Sequence, residues 1–190
     1  MTRFWLVRHG PTHAKSMIGW TDLPADLSDQ SAIARLNAYL PPAAPVISSD
    51  LRRAVATADC LAPRRRLAHD PGLREIHFGL WEDQTHDALA ADPNHAGALQ
   101  AFWQKPGPSR APNGECWDEM QARVLASLDR LTGLAPDVIV VCHFGAILAA
   151  LQYGLNTTPA DVFQYRIENL SVSRLIFTKP PKVETISHIP

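Results

Sequence analysis

Val138-Ile139-Val140-Val141-Cys142-His143-Phe144-Gly145 decides the fold. Five apolar residues without polar alternation predict a strand covered on both faces, and such strands belong to parallel sheets flanked by helices. An apolar helical stretch, Ala146 to Leu151, follows at once, so a histidine stands where a buried strand gives way to a helix. The chain opens in the same manner, with Phe4-Trp5-Leu6-Val7 running unalternated into Arg8-His9-Gly10. In open parallel sheets ligands bind beyond the carboxyl ends of the strands. If these two strands are parallel, Arg8, His9 and His143 share one edge.

The segments between them alternate in kind. Ser28 is placed to cap a helix carrying Ile33, Leu36 and Leu40, which Pro41-Pro42 stops. Val46-Ile47-Ser48 reads as a short strand, and Asp50 opens a helix with Leu51, Val55, Ala58 and Leu61 on one stripe, closed by Pro63. Trp81 to Trp103 reads as short helical pieces, and Lys105 to Gly114, rich in proline and glycine, as a loop expected to form the substrate rim. Glu115 to Leu134 is the clearest helix, with Trp117, Met120, Val124, Leu128 and Leu131 facing the core. Val172 to Phe177 and Val183 to Ile186 are late strands. This order predicts an α/β fold, a three-layer α/β/α sandwich with a mostly parallel central sheet. With 190 residues and no composition break, one domain, 1–190, is expected.

The formal charge is -1, with Lys+Arg 18 against Asp+Glu 19, so no global field invites nucleic acid or an anionic membrane. An anion site must be local. Arg64-Arg65-Arg66 is the one basic run and reads as a solvated connection. No apolar stretch approaches the roughly 20 residues of a membrane helix, and Met1-Thr2-Arg3 enters a strand without a signal-peptide core, so a cytoplasmic protein is expected. Cys60, Cys116 and Cys142 are too irregular for a disulfide framework and read as thiols. His9 and His13 are one helical turn apart, but Gly10 and Pro11 oppose a ligand-bearing helix, so no metal and no cofactor is expected.

Arg8-His9 suits attack on phosphate. A neutral imidazole nitrogen can accept a phosphoryl group while a guanidinium neutralises phosphate oxygens with a planar fork of donors. Gly10 permits a sharp turn and close approach of the backbone to a ligand. Ser48 to Ala58 puts an arginine near a helix start on the same edge, where only one of Arg52 and Arg53 can face the pocket. Glu75 can donate a proton to a leaving oxygen. Each residue also has a plain role: a strand-end histidine, an exposed helix charge, a surface carboxylate beside Glu82 and Asp83.

Arg8-His9-Gly10-Pro11-Thr12, Ser49 through Ala58, Leu73 through Glu82, Gly114-Glu115 and Val141 through Gly145 occur in this order, followed by Glu168-Asn169-Leu170-Ser171-Val172. Together they resemble the histidine phosphatase superfamily, the phosphoglycerate mutase-like proteins. The resemblance implies His9 as phosphoryl acceptor, Arg8, Arg53 and a protonated His143 as phosphate clamp, and Glu75 as general acid and then base. It further implies Thr12 and the Phe144 backbone amide as secondary phosphate contacts. Lys15, Pro11, Phe144 and Cys116 depart from residues frequent in the family, and Lys15 is expected to keep a phosphate contact. The implied activity is metal-independent hydrolysis of a small phosphorylated metabolite through a phosphohistidine. Alpha-ribazole phosphate and other sugar or nucleoside phosphates are open as substrates. A phosphoglycerate mutase and a non-catalytic phosphate binder are the alternatives.

Overall fold

The computed structural model describes Met1–Pro190. Its elements, in order, are β1 (Thr2–Arg8), α1 (Gln30–Tyr39), β2 (Val46–Ser48), α2 (Arg52–Asp59), α3 (His86–Ala91), α4 (Ala96–Gln104), α5 (Trp117–Leu131), β3 (Asp137–Cys142), α6 (Phe144–Leu155), α7 (Pro159–Val162), β4 (Val172–Phe177) and β5 (Lys182–His188). Two short 3-10 turns, Pro71–Leu73 and Gly79–Trp81, lie between α2 and α3. The sheet order is β2-β3-β1-β4-β5. β2, β3 and β1 run parallel, with Arg8 opposite Cys142, whereas β4 pairs antiparallel with β1 and β5 antiparallel with β4. The parallel half therefore carries both histidine-bearing strand ends side by side.

Alternation along the buried strands explains the three layers. Phe4, Leu6, Val138, Val140 and Cys142 join a core cluster with Met120, Val124 and Leu128 of α5 and Ile147 and Leu151 of α6. Val7, Ile139 and Val141 point the other way, toward Leu36 of α1 and Ala54 and Ala58 of α2. Both faces of β1 and β3 are covered, so no polar alternation is required of them. No helix is long and apolar enough to cross a membrane.

Several local expectations are corrected. α1 is capped by Asp29, not Ser28: its carboxylate accepts from the Ala32 amide at 2.9 Å. α2 begins after Leu51, because Asp50 is turned away to pair with Arg74 Nε at 2.7 Å. α5 starts at Trp117, two residues later than expected, since Glu115 leaves the helix to meet Arg123. Nor is the basic run simply solvated. Arg64 donates to the carbonyls of Asn37, Leu40 and Pro41, and Arg66 to that of Val46, tying the start of β2 to the end of α1. The three cysteines are free.

Candidate active site

Beyond β1 and β3 the parallel register brings His9 against His143, with ring centroids 5.1 Å apart. The backbone of His9 is held from both sides: its amide donates to Cys142 at 3.1 Å and its carbonyl accepts from the Asn169 side chain at 2.8 Å. His9 Nδ1 lies 2.6 Å from the Gly10 carbonyl, which can only accept. The proton therefore sits on Nδ1, and Nε2 keeps its lone pair. Burial, then the charge of Arg53, pushes the His9 pKa down to about 3, against the opposing Gly10 hydrogen bond. The imidazole is neutral at physiological pH and its free nitrogen is nucleophilic.

Arg53 comes from the first turn of α2 and is buried, whereas Arg52 is exposed. Its Nη2 donates to Gly19 at 2.6 Å, its Nη1 to Thr21 at 2.8 Å, and its Nε reaches His9 Nε2 at 3.3 Å. Two loop carbonyls thus orient the guanidinium and leave an edge toward the reactive nitrogen. Arg8, on the opposite side, donates Nη1 to Ile167 at 2.6 Å and lies 5.5 Å from the centre of the Phe144 ring. Its Nε is buried without a protein partner. Burial lowers the pKa of both arginines, but from a starting point so high that both stay charged.

His143 is wholly buried as the residue preceding α6, and neither ring nitrogen has a protein partner. Buried polar atoms without partners are rare. Burial first, then His9, Arg53, Arg123 and Arg8, holds its pKa well below the usual histidine range, so a neutral imidazole replaces the expected protonated His143. A neutral ring still offers one N–H to an oxyanion. Glu75 is buried beside it, with Oε1 accepting from the Ile76 amide at 2.9 Å and Oε2 from the Gly145 amide at 3.0 Å. A Cβ on Gly145 would lie 2.3 Å from Glu75 Oε1, so only glycine lets helix and carboxylate approach so closely.

Arg8, His9, Thr12, Arg53, Glu75 and Phe144 line one cleft of about 230 Å³, together with Ala14, Ser16, Ile18 and Phe78. Lys15 is exposed and makes no hydrogen bond, and its neighbours Ala14 and Ser16 take the cleft positions instead. The expected rim, Lys105 to Gly114, contributes no lining residue. Arg110 in that loop is committed to the Gly114 carbonyl and to Glu119.

Two residues support the site in ways the sequence does not assign them. Glu82 accepts from the amides of Gly19, Trp20, Thr21 and Phe78, at 2.8 to 3.1 Å, and from the Thr21 hydroxyl. Burial raises its pKa, yet these donors together hold it below the usual carboxylate range. Arg123 pairs with Glu115 at 2.7 Å and donates to the carbonyls of Gly72, Arg74 and Glu75. It follows Met120 by three positions, at the border of the buried stripe of α5, which is the one signal that it points inward.

The profile of the histidine phosphatase superfamily (branch 1) matches residues 4–184. A glucosyl-3-phosphoglycerate phosphatase of Mycolicibacterium vanbaalenii is 32% identical over 84% of this chain and 76% of its own. A probable phosphoglycerate mutase GpmB of Photorhabdus laumondii is 28% identical over 95% of this chain and 87% of its own. Among solved structures, Bacillus stearothermophilus YhfR superposes with a TM-score of 0.86 at 26% identity, covering 100% of this chain and 98% of that one. With its motifs gathered at one sheet edge and the profile spanning nearly its whole length, the chain belongs to the histidine phosphatase superfamily.

Proposed function

We propose that the chain, folded as one domain, is a phosphomonoester hydrolase that works through a phosphohistidine on His9. The observation that carries this reading is the fixed tautomer of His9: Nδ1 is bound to the Gly10 carbonyl, and Nε2 faces the guanidinium of Arg53 in the cleft. Nε2 attacks phosphorus as the P–O bond to the leaving group breaks, and Glu75, carrying a proton, gives it to the departing oxygen. Each Glu75 oxygen accepts only one amide and keeps a second lone pair for that proton. Arg8, Arg53 and an N–H of His143 stabilise the charge on the phosphoryl oxygens, with the Thr12 hydroxyl and the Phe144 amide as further donors. Water then attacks phosphorus, Glu75 takes its proton, the N–P bond breaks, and inorganic phosphate leaves. Positive charge at the transferring group comes from arginine, so the reaction requires no metal.

The mutase name of several relatives favours a second reading, transfer to another hydroxyl of a phosphoglycerate. Such a substrate needs a cation for its carboxylate. The Lys105–Gly114 loop contributes no residue to the cleft, and its one arginine is already bound to Glu119, which supports hydrolysis instead. The test is turnover of p-nitrophenyl phosphate in the presence of a chelator, with acid-labile, base-stable phosphate trapped on the protein. We expect undiminished turnover and label in the parent, and in His9→Ala at least a thousandfold slower turnover and no label. Chelator-sensitive turnover, or label retained in His9→Ala, would refute the mechanism. Release of phosphate slower than exchange of 2- and 3-phosphoglycerate would favour the mutase.

A further inference from the structure

Beside the cleft over His9 lies a hollow of about 50 Å³ walled by Phe78, Phe102, Trp103, Trp117, Phe144 and Phe163. Glu75, Phe78 and Phe144 line both spaces, so cleft and hollow adjoin. Seven of the nine lining residues are hydrophobic and none is a cation, which makes this the least suitable wall for a carboxylate or a second phosphate. Trp103 meets Phe102 at 5.1 Å and Phe163 at 5.9 Å edge to face, and Trp117 tilts against Phe163 at 4.7 Å. Trp103 is 39% exposed, so part of its indole is open to a ligand seated at the hollow.

In-line displacement fixes which part of a substrate meets this wall. The nucleophile and the leaving oxygen stand on opposite sides of phosphorus, and the acid stands beside the leaving oxygen. Whatever is bonded to that oxygen therefore extends past Glu75 toward Phe78, Phe144 and the hollow. We infer that the organic part of the substrate is an uncharged aromatic group, seated against Phe144 and Trp103 with its edge in the hollow. A space of this size takes the edge of one ring and no more. This inference rests on the proposed hydrolysis for the direction in which the leaving group points, and it names the substrate class of that site.

Three phosphonates that cannot be hydrolysed separate the two proposals: propylphosphonate, 3-phenylpropylphosphonate and 2-carboxyethylphosphonate, with affinity read by calorimetry. We expect the phenyl compound to bind the parent protein at least about tenfold more tightly than the propyl compound, and the carboxylate more weakly than either. Trp103→Ala should bring the phenyl-to-propyl ratio close to one, and Trp103→Phe should retain most of it. Equal affinities for the propyl and phenyl compounds in the parent overturn the subsite, and that comparison stands even if Trp103→Ala fails to fold. Tighter binding of the carboxylate overturns it as well. Hydrolysis of propyl and 3-phenylpropyl phosphate, whose terminal ring is insulated from the ester oxygen, is followed in parallel. A phenyl preference in binding without hydrolysis of either ester would refute the hydrolase and leave the subsite. Hydrolysis of both with no preference would refute the subsite and leave the hydrolase, and no binding by any of the three phosphonates would refute both.

Discussion

Arg52 and Arg53 are neighbours in sequence and opposites in environment. One is exposed, and the other is spent on two loop carbonyls and His9 Nε2. Removing Arg53 deletes the charge nearest His9 Nε2 and strands the Gly19 and Thr21 carbonyls, so under the proposed mechanism its cost falls on both catalysis and stability. We expect Arg53→Ala to lower kcat/KM by about a thousandfold or more, and Arg52→Ala to change it by less than about threefold, measured on one substrate. Equal losses would mean that the orientation of α2 is not what sets the site. At this scale the sequence was most legible where spacing and chemistry coincide. His9 follows an unalternated strand, and His143 follows another, so topology alone brings them together. The charge state of His143 was not legible, because it depends on burial among Arg8, Arg53 and Arg123, which arrive from three different elements.

The loop Gly19–Thr21 shows how one element holds another. Glu82 gathers its three amides, which fixes the Gly19 and Thr21 carbonyls that in turn fix Arg53. Trp20, in the same loop, donates to the Glu75 carbonyl at 2.8 Å and stacks on His77 at 4.5 Å. Glu82→Gln keeps the volume but turns an amide NH2 toward backbone donors. We expect a loss of about 2 kcal/mol in stability by denaturant titration, from unsatisfied buried amides. A fall of at least about tenfold in kcat/KM should accompany it, though Glu82 does not line the cleft. Unchanged kinetics in a destabilised variant would separate the latch from the site. β2 and β4 were predicted to the residue from their apolar runs, yet helix starts drifted by one or two positions. The reason is competition: Asp50 and Glu115 were both drawn from possible cap positions into arginine pairs, Asp50 with Arg74 24 positions on and Glu115 with Arg123 eight positions on. The antiparallel β4 follows from a connection that local periodicity does not encode.

Over the whole molecule, two neutral buried histidines make stability depend on pH. In the unfolded chain His9 titrates near 6.5, and in the fold at about 3, so between these values only the unfolded state takes up its proton. Its contribution is fully present above pH 6.5 and is lost as pH falls toward 3, and His143 acts in the same direction. His9 should steepen the stability profile by about 1.4 kcal/mol per pH unit across that window. Urea titrations at pH 7, 6, 5 and 4 should therefore show a steeper decline for the parent than for His9→Ala. Parallel profiles would show that His9 titrates normally in the fold.

Arg8 faces Cys142 in the parallel ladder, and Asn169 reaches back to the His9 carbonyl. Parallel neighbours require a long intervening chain, and closing that loop costs entropy before any contact rewards it. High contact order of this kind slows folding, and here it governs chemistry as well. A chain emerging during synthesis carries His9, Arg53 and Glu75 long before His143 exists to join them. The proposed phosphoryl transfer therefore waits on β3 beside β1 and on Asn169 against His9, contacts that only the later part of the chain supplies.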